Sequence, residues 1–172
     1  MATSERSVSE AGAGDFVLRA VTGMHDFLSE EWNLLAGTSS TSAISLYNPF
    51  ISYDFLRVVE ESGCATARTG WAPRHLRLEA PDGTLVGAVP CYAKSHSQGE
   101  YVFDHGWADA FERAGGNYYP KLQVSVPFTP ATGPRLLVRE GFDGNAVRAA
   151  LANGLKALND TLGTSSVHVT FA

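Results

Sequence analysis

At 172 residues, 44% of them hydrophobic, the chain has enough apolar material to fill one sizeable core and lacks the composition of a disordered protein. A formal net charge of -5 argues against the broad basic footprint of a duplex nucleic-acid binder. No apolar run approaches the length of a membrane span, and the two cysteines, Cys64 and Cys91, lack metal-ligand spacing and read as free thiols in a reducing cytoplasm.

Residues 1–14 are small and polar without the apolar stretch of a signal peptide, and are expected to form a disordered tail. Residues 15–22 alternate as a first strand, and 26–36 carry Phe27, Trp32, Leu34 and Leu35 at the spacing of a short amphipathic helix. A Gly/Ser/Thr/Ala linker over 37–43 follows. Asn48 with Pro49, or Ser52 slightly later, starts a second helix whose Phe55, Val58, Val59 and Ser62 share a face, with Gly63 at its end. Strands over 75–80 and 84–93 flank the turn Pro81, Asp82 and Gly83 and predict an antiparallel hairpin, with Pro90 marking a bulge or a strand end.

After an irregular aromatic stretch, residues 121–128 read as a strand with Leu122, Val124 and Val126 on one side, which 135–138 continues or pairs beside. The clearest helix begins at Asn145, repeats Val147, Leu151, Gly154, Leu155, Leu158 and Leu162 at helical spacing, and closes at Gly163. The chain then returns as a strand over 167–171, with the look of a buried strand and no polar tail after it. That abrupt finish predicts that the chain is one part of a longer polypeptide.

Residues 94–135 mix His, Glu, Asp, Lys and Arg with Tyr, Phe and Trp more densely than any other part, which is how a polar binding cleft with aromatic walls reads. His96, Glu100 and Asp104 fall at even spacing, which shares a face in either a helix or a strand, and the Tyr101, Val102, Phe103 run favours extended structure. Glu100 or Asp104 is the candidate general base, against a structural ion pair with Lys121 or Arg135. His96, Glu100, Asp104 and His105 match no recognised metal-ligand pattern, so no metal is expected. Trp107 and Tyr119 are candidate cleft walls, Lys121 and His96 candidate polar contacts, and Thr129, Thr132 and Arg135 candidate donors to a carboxylate or phosphate from a proline-stiffened loop. Lys94, Lys121, Arg135 and Arg139 allow a local basic patch for an anionic ligand.

The element order resembles the GNAT acyltransferase fold, in which a mixed, mostly antiparallel sheet flanked by helices opens into a split. Four blocks sharpen the resemblance: NPFISYDFL at 48–56, KSHSQGEYVFD at 94–104, YYPKL at 118–122 and PFTPATGPR at 127–135 are similar to the bacterial FemAB-like family of N-acyltransferases, often labelled peptidoglycan biosynthesis proteins. The resemblance implies an α/β, GNAT-like domain over 15–172, the N-terminal half of a protein about twice this length. It implies transfer of an acyl or aminoacyl group to an amine of a small molecule, peptide or cell-wall precursor, with acyl-coenzyme A or aminoacyl-tRNA as donor. The usual GNAT pyrophosphate signature before the long helix is absent; its nearest counterpart is REGFDG at 139–144, whose acids suit capping but repel phosphate. The competing reading is a non-catalytic ligand-binding domain whose last strand pairs with a C-terminal half or a second copy.

Overall fold

The computed structural model describes residues 16–37, 48–102 and 104–172; the tail expected over 1–14 and all but the first residue of the linker expected over 37–43 lie outside them. In chain order the elements are β1 (Val17–Val21), α1 (Ser29–Leu35), α2 (Tyr53–Glu61), β2 (Trp71–Pro73), β3 (His75–Glu79), β4 (Leu85–Val89), β5 (Tyr92–Lys94), α3 (His105–Arg113), β6 (Lys121–Val124), β7 (Leu137–Val138), α4 (Gly144–Leu162) and β8 (Val167–Val169). The strands form two four-stranded sheets, β1-β3-β4-β7 and β2-β5-β6-β8, antiparallel except for the parallel pair β6 and β8. This is the mixed, mostly antiparallel, helix-flanked architecture that the sequence predicts. Among the described residues no helix is long and apolar enough to cross a membrane.

The two sheets are joined because two chain segments run through both. Residues 71–79 break at Arg74, and 85–94 break at Pro90 and Cys91, where proline has no N–H for a ladder. The break is hydrogen-bonded by other means: Arg74 N donates to Cys91 O at 2.8 Å, and Cys91 N donates to His75 Nδ1 at 3.1 Å. The predicted hairpin therefore forms, and its proline ends β4 as expected.

Both candidate starts of the second helix are used. Asn48 accepts from Phe50 N at the head of a single 3-10 turn, and Ser52 accepts from Phe55 N to open α2. The packed face differs from the predicted one: Leu56 is buried, whereas Val58 and Ser62 are exposed, because α2 leans on α1 and the 24–26 turn rather than along the sheet. The first helix is shorter than expected, with a 3-10 turn at Met24–Asp26 and Phe27 buried between the two.

Helix α4 lies across both sheets: its Val147, Leu151, Leu155 and Leu158 share one buried cluster with Leu76 and Leu78 of β3 and Leu122 and Val124 of β6. Each such side chain contributes about 1.5–3 kcal/mol relative to exposure. Gly154 lets the helix approach β1 closely, since a Cβ there would collide with the Leu18 side chain. Asp143 caps α4 by accepting from Asn145 N and Ala146 N, and Gly163 ends it at φ 63°.

Three further expectations are corrected. Residues 105–113 are helical, not irregular; α3 buries only Ala108, so no inward apolar stripe marks it in the sequence. Strand β7 pairs with β4 rather than continuing or flanking β6. Strand β8 is an edge strand, with Val167 and His168 half-buried and Val169 exposed, rather than fully buried.

Candidate functional site

Alternation along β6 separates core from site. Leu122 and Val124 point into the core under α4, while Lys121, Gln123 and then Ser125 turn to the opposite side, all three buried. Cross-strand register extends that polar side into two rows: Trp71, Lys94 and Lys121 in one, and Pro73, Tyr92, Gln123 and His168 in the next. The chain between β5 and β6, with α3 in it, folds back over these rows.

Lys121 is the hub. Its Nζ donates to Glu100 Oε2 at 2.7 Å and to Asp104 Oδ2. The Tyr118 hydroxyl donates to the same Asp104 oxygen at 2.8 Å, and the Tyr119 hydroxyl to Oδ1 at 3.3 Å. Glu100 is 2% and Asp104 4% exposed, so neither ion pair is a surface contact. The second oxygen of Glu100, Oε1, is buried with no hydrogen-bond partner among the described residues. Lys94 has no carboxylate partner among them; its Nζ lies 3.7 Å from the centre of the Trp71 ring and donates to Gln98 O at 3.1 Å.

These surroundings set the charges apart. Burial pushes Glu100 above the usual carboxylate range, against the pull of Lys121. Burial also works against ionised Asp104, but the hydrogen bonds from Lys121 and Tyr118 outweigh it and hold the carboxyl at about 2. Lys94 is brought down to about 7, chiefly by burial, with Glu100 opposing. Burial and the neighbouring Asp104 raise the Tyr118 phenol.

The cluster is sealed on the Glu100 side and opens through Asp104 into a groove of about 420 Å³ lined by Asp104, Trp107, Phe111, Tyr118, Ser166 and His168. Trp107, 76% exposed, forms its outer wall from α3. In β8 and just before it, Ser166 Oγ and His168 Nε2 are 2.8 Å apart, and burial, then Lys121, lowers the imidazole's proton affinity.

Of the residues singled out from the sequence, Glu100, Asp104, Tyr119 and Lys121 converge, and Trp107 walls the groove beside them. Glu100 and Asp104 lie in a loop leading into α3, neither helical nor extended as a run. That loop takes His96 away from them, contrary to the shared face expected: its Nδ1 accepts from Gln98 N, and its ring lies against Gly70.

Arg135 also stands apart. Its Nε donates to Thr170 O at 3.0 Å, Nη1 to Gly133 O at 3.1 Å and Nη2 to Ala131 O, so backbone carbonyls take the guanidinium. Thr132 is exposed and its carbonyl accepts from Asn48 Nδ2, while Thr129 lines a different groove, of about 550 Å³, with Phe55, Val59 and Phe128. Among the described residues no three His, Cys, Asp or Glu side chains come together as a metal site. Sequence reasoning missed Trp71 and the Ser166–His168 pair as site components, and Lys94, expected in a local basic patch, is buried against the Trp71 ring. The available signal was alternation: 166 and 168 are two apart, on the side of the last strand away from Val167 and Val169.

No curated protein sequence matches the chain. Two solved structures resemble it: a ribosomal-protein-alanine N-acetyltransferase from Brucella melitensis biovar Abortus 2308, 16% identical with a TM-score of 0.48 over 91% of this chain and 80% of that one, and a Trypanosoma brucei acetyltransferase, 17% identical with a TM-score of 0.43 over 92% and 84%. Residues 23–172 match the FemAB-like family, described as peptidoglycan biosynthesis and recognition, and the chain belongs to that family.

Proposed function

We propose that the chain carries an N-acyltransferase site that moves an acyl or aminoacyl group to an amine of a small molecule, a peptide or a cell-wall precursor. Family membership supports acyl or aminoacyl transfer in general. The observation that carries the reading is the Lys121 hub, which ties Glu100 and Asp104 together directly behind an aromatic groove.

Transfer to an amine needs the amine oriented and its proton removed. In this reading an incoming ammonium meets Asp104 in the groove, with Trp107 against its carbon skeleton. Asp104, held at about 2, is a weak proton store. Glu100, raised by burial and with a buried Oε1 free of partners among the described residues, is the better one. Lys121 touches both carboxylates, so a proton reaching Asp104 passes to Lys121 as Lys121 releases one to Glu100. Tyr119 fixes the Asp104 oxygen that faces it, while Arg135 and Thr132 keep the 129–135 loop in shape and Thr129 presents a hydroxyl to the neighbouring groove. His96 is assigned a substrate contact outside the hub.

The donor is acyl-coenzyme A or aminoacyl-tRNA. Asp143 already occupies the first N–H groups of α4 with its carboxylate, which leaves that helix end unsuited to a pyrophosphate. The donor's anionic part is therefore assigned to a C-terminal half or a second copy in the cytoplasm. The test is transfer of radiolabelled acetyl or aminoacyl groups to a panel of amines. Glu100→Gln and Asp104→Asn are expected to lower turnover by about a hundredfold or more; undiminished turnover in both removes these carboxylates from the reaction.

A further inference from the structure

The groove beside Asp104 holds a second set of reactive groups that the amine chemistry above does not use. Ser166 Oγ lies 2.8 Å from His168 Nε2, the separation of a nucleophile and its base, and both line the groove. The neighbouring hydroxyl limits where the Ser166 proton can go. Ser165 has a single hydroxyl proton and directs it to Tyr118 O, so any proton between Ser165 and Ser166 must come from Ser166. Ser166 Oγ is 3.2 Å from Ser165 Oγ and 2.8 Å from His168 Nε2, and with the imidazole proton on Nδ1 the closer contact is a hydrogen bond from Ser166 to Nε2. The imidazole is held in place by β8, where His168 pairs with Gln123, and by the Tyr118 ring packed edge-on at 6.0 Å. Burial and the nearby Lys121 disfavour its protonated form, and the neutral ring keeps one nitrogen as an acceptor.

We infer that Ser166 and His168 are a nucleophile and base that capture an acyl group from an activated ester or thioester as a serine ester. Ser166 Oγ attacks the acyl carbon while its proton moves to His168 Nε2. The tetrahedral adduct collapses with loss of the C–S or C–O bond, and the imidazolium returns the proton to the departing thiolate or alkoxide. The ester left on Ser166 is open to attack by an amine lying against Asp104, which restores the Ser166 hydroxyl.

The experiment uses p-nitrophenyl acetate with no amine acceptor, so it reads acyl capture alone; an absence of amine transfer would leave it untouched, and its own failure would leave the amine-transfer reading standing. The expected result is a burst of nitrophenolate equal to the protein present, with an acetyl adduct mapped to Ser166 by peptide mass spectrometry. Ser166→Ala removes that adduct, and His168→Gln slows its formation by about a hundredfold in protein whose thermal melt is intact. Ser166→Cys restores labelling at the same position, now as a thioester. Acetylation confined to lysines, or a Ser166 adduct forming equally fast in His168→Gln, overturns the inference.

Discussion

Lys94 and Lys121 stand directly opposite one another on the antiparallel strands β5 and β6, and both are fully buried. Like charges in that relation repel, and the site resolves the conflict unequally. Lys121 takes both carboxylates, whereas Lys94 is left with an aromatic face and one backbone carbonyl. Burial first, and the facing Lys121 to a lesser degree, lower its proton affinity to about 7 from an ordinary 10.5.

A stability slope follows. Between about pH 7 and 10.5 the unfolded chain holds a proton on Lys94 that the folded chain has released, so folding gains stability as pH rises through that window. Below it both states are protonated and the folded chain carries the full cost of a buried charge. Lys94→Met should flatten this slope and be neutral or stabilising by about 1–4 kcal/mol at neutral pH. Urea unfolding across the window measures both, and an unchanged slope would show that Lys94 is not the group responsible.

The two carboxylates should not behave independently. Glu100→Gln or Asp104→Asn leaves Lys121 with one anion, at a cost of about 1–3 kcal/mol each. Removing both leaves a buried ammonium without a counter-ion, so the double variant should lose more than the sum of the singles. Chemical denaturation of the four proteins in the cycle tests this, with additivity as the contrary result. Asp104 also shapes acid stability: because its folded carboxyl titrates near 2 rather than 3.8, its contribution is complete above 3.8 and fades as pH falls toward 2.

Arg135→Ala should cost about 2–4 kcal/mol, since it strips three partly buried carbonyls of a charged donor that is itself buried. Arg135→Lys should recover little, because one ammonium cannot reach three divergent acceptors as a planar fork does. Equilibrium unfolding decides; a loss below about 0.5 kcal/mol would mean the loop is held by other contacts.

Trp107→Ala should leave unfolding unchanged within about 0.5 kcal/mol, as expected for an exposed side chain. Loss of an aromatic contact of about 0.5–1.5 kcal/mol should raise KM for an amine about two- to tenfold. Steady-state kinetics with kcat and KM separated will show it, and an unaltered KM would take Trp107 out of the groove's binding wall.

Where local chemistry dictates local structure, the sequence was legible. Asn48, Ser52, Asp143 and Gly163 act at the helix ends as their side chains and φ angles require, and the hairpin about Asp82 and Gly83 forms where its turn residues stand. Helix α3 was hidden because its large apolar residues, Trp107 and Phe111, face outward and only Ala108 faces in. The Glu100, Asp104 and Lys121 grouping was visible as a concentration of types, but its partition from Arg135 depends on which strand each loop crosses. Nothing in residue spacing reports that Arg135 reaches Thr170 while Lys121 reaches back to Asp104.

The two-faced character of β6 has a consequence for how such a protein can diversify. Positions 122 and 124 belong to the apolar core, and positions 121, 123 and 125 carry the buried polar side chains, on opposite sides of one ribbon. Replacing the odd-numbered side chains can retune what the site handles while the oily interior stays as it is. Inserting a single residue before Lys121 would turn both sets over together, driving the ammonium into the oil beneath α4 and the leucine into the groove.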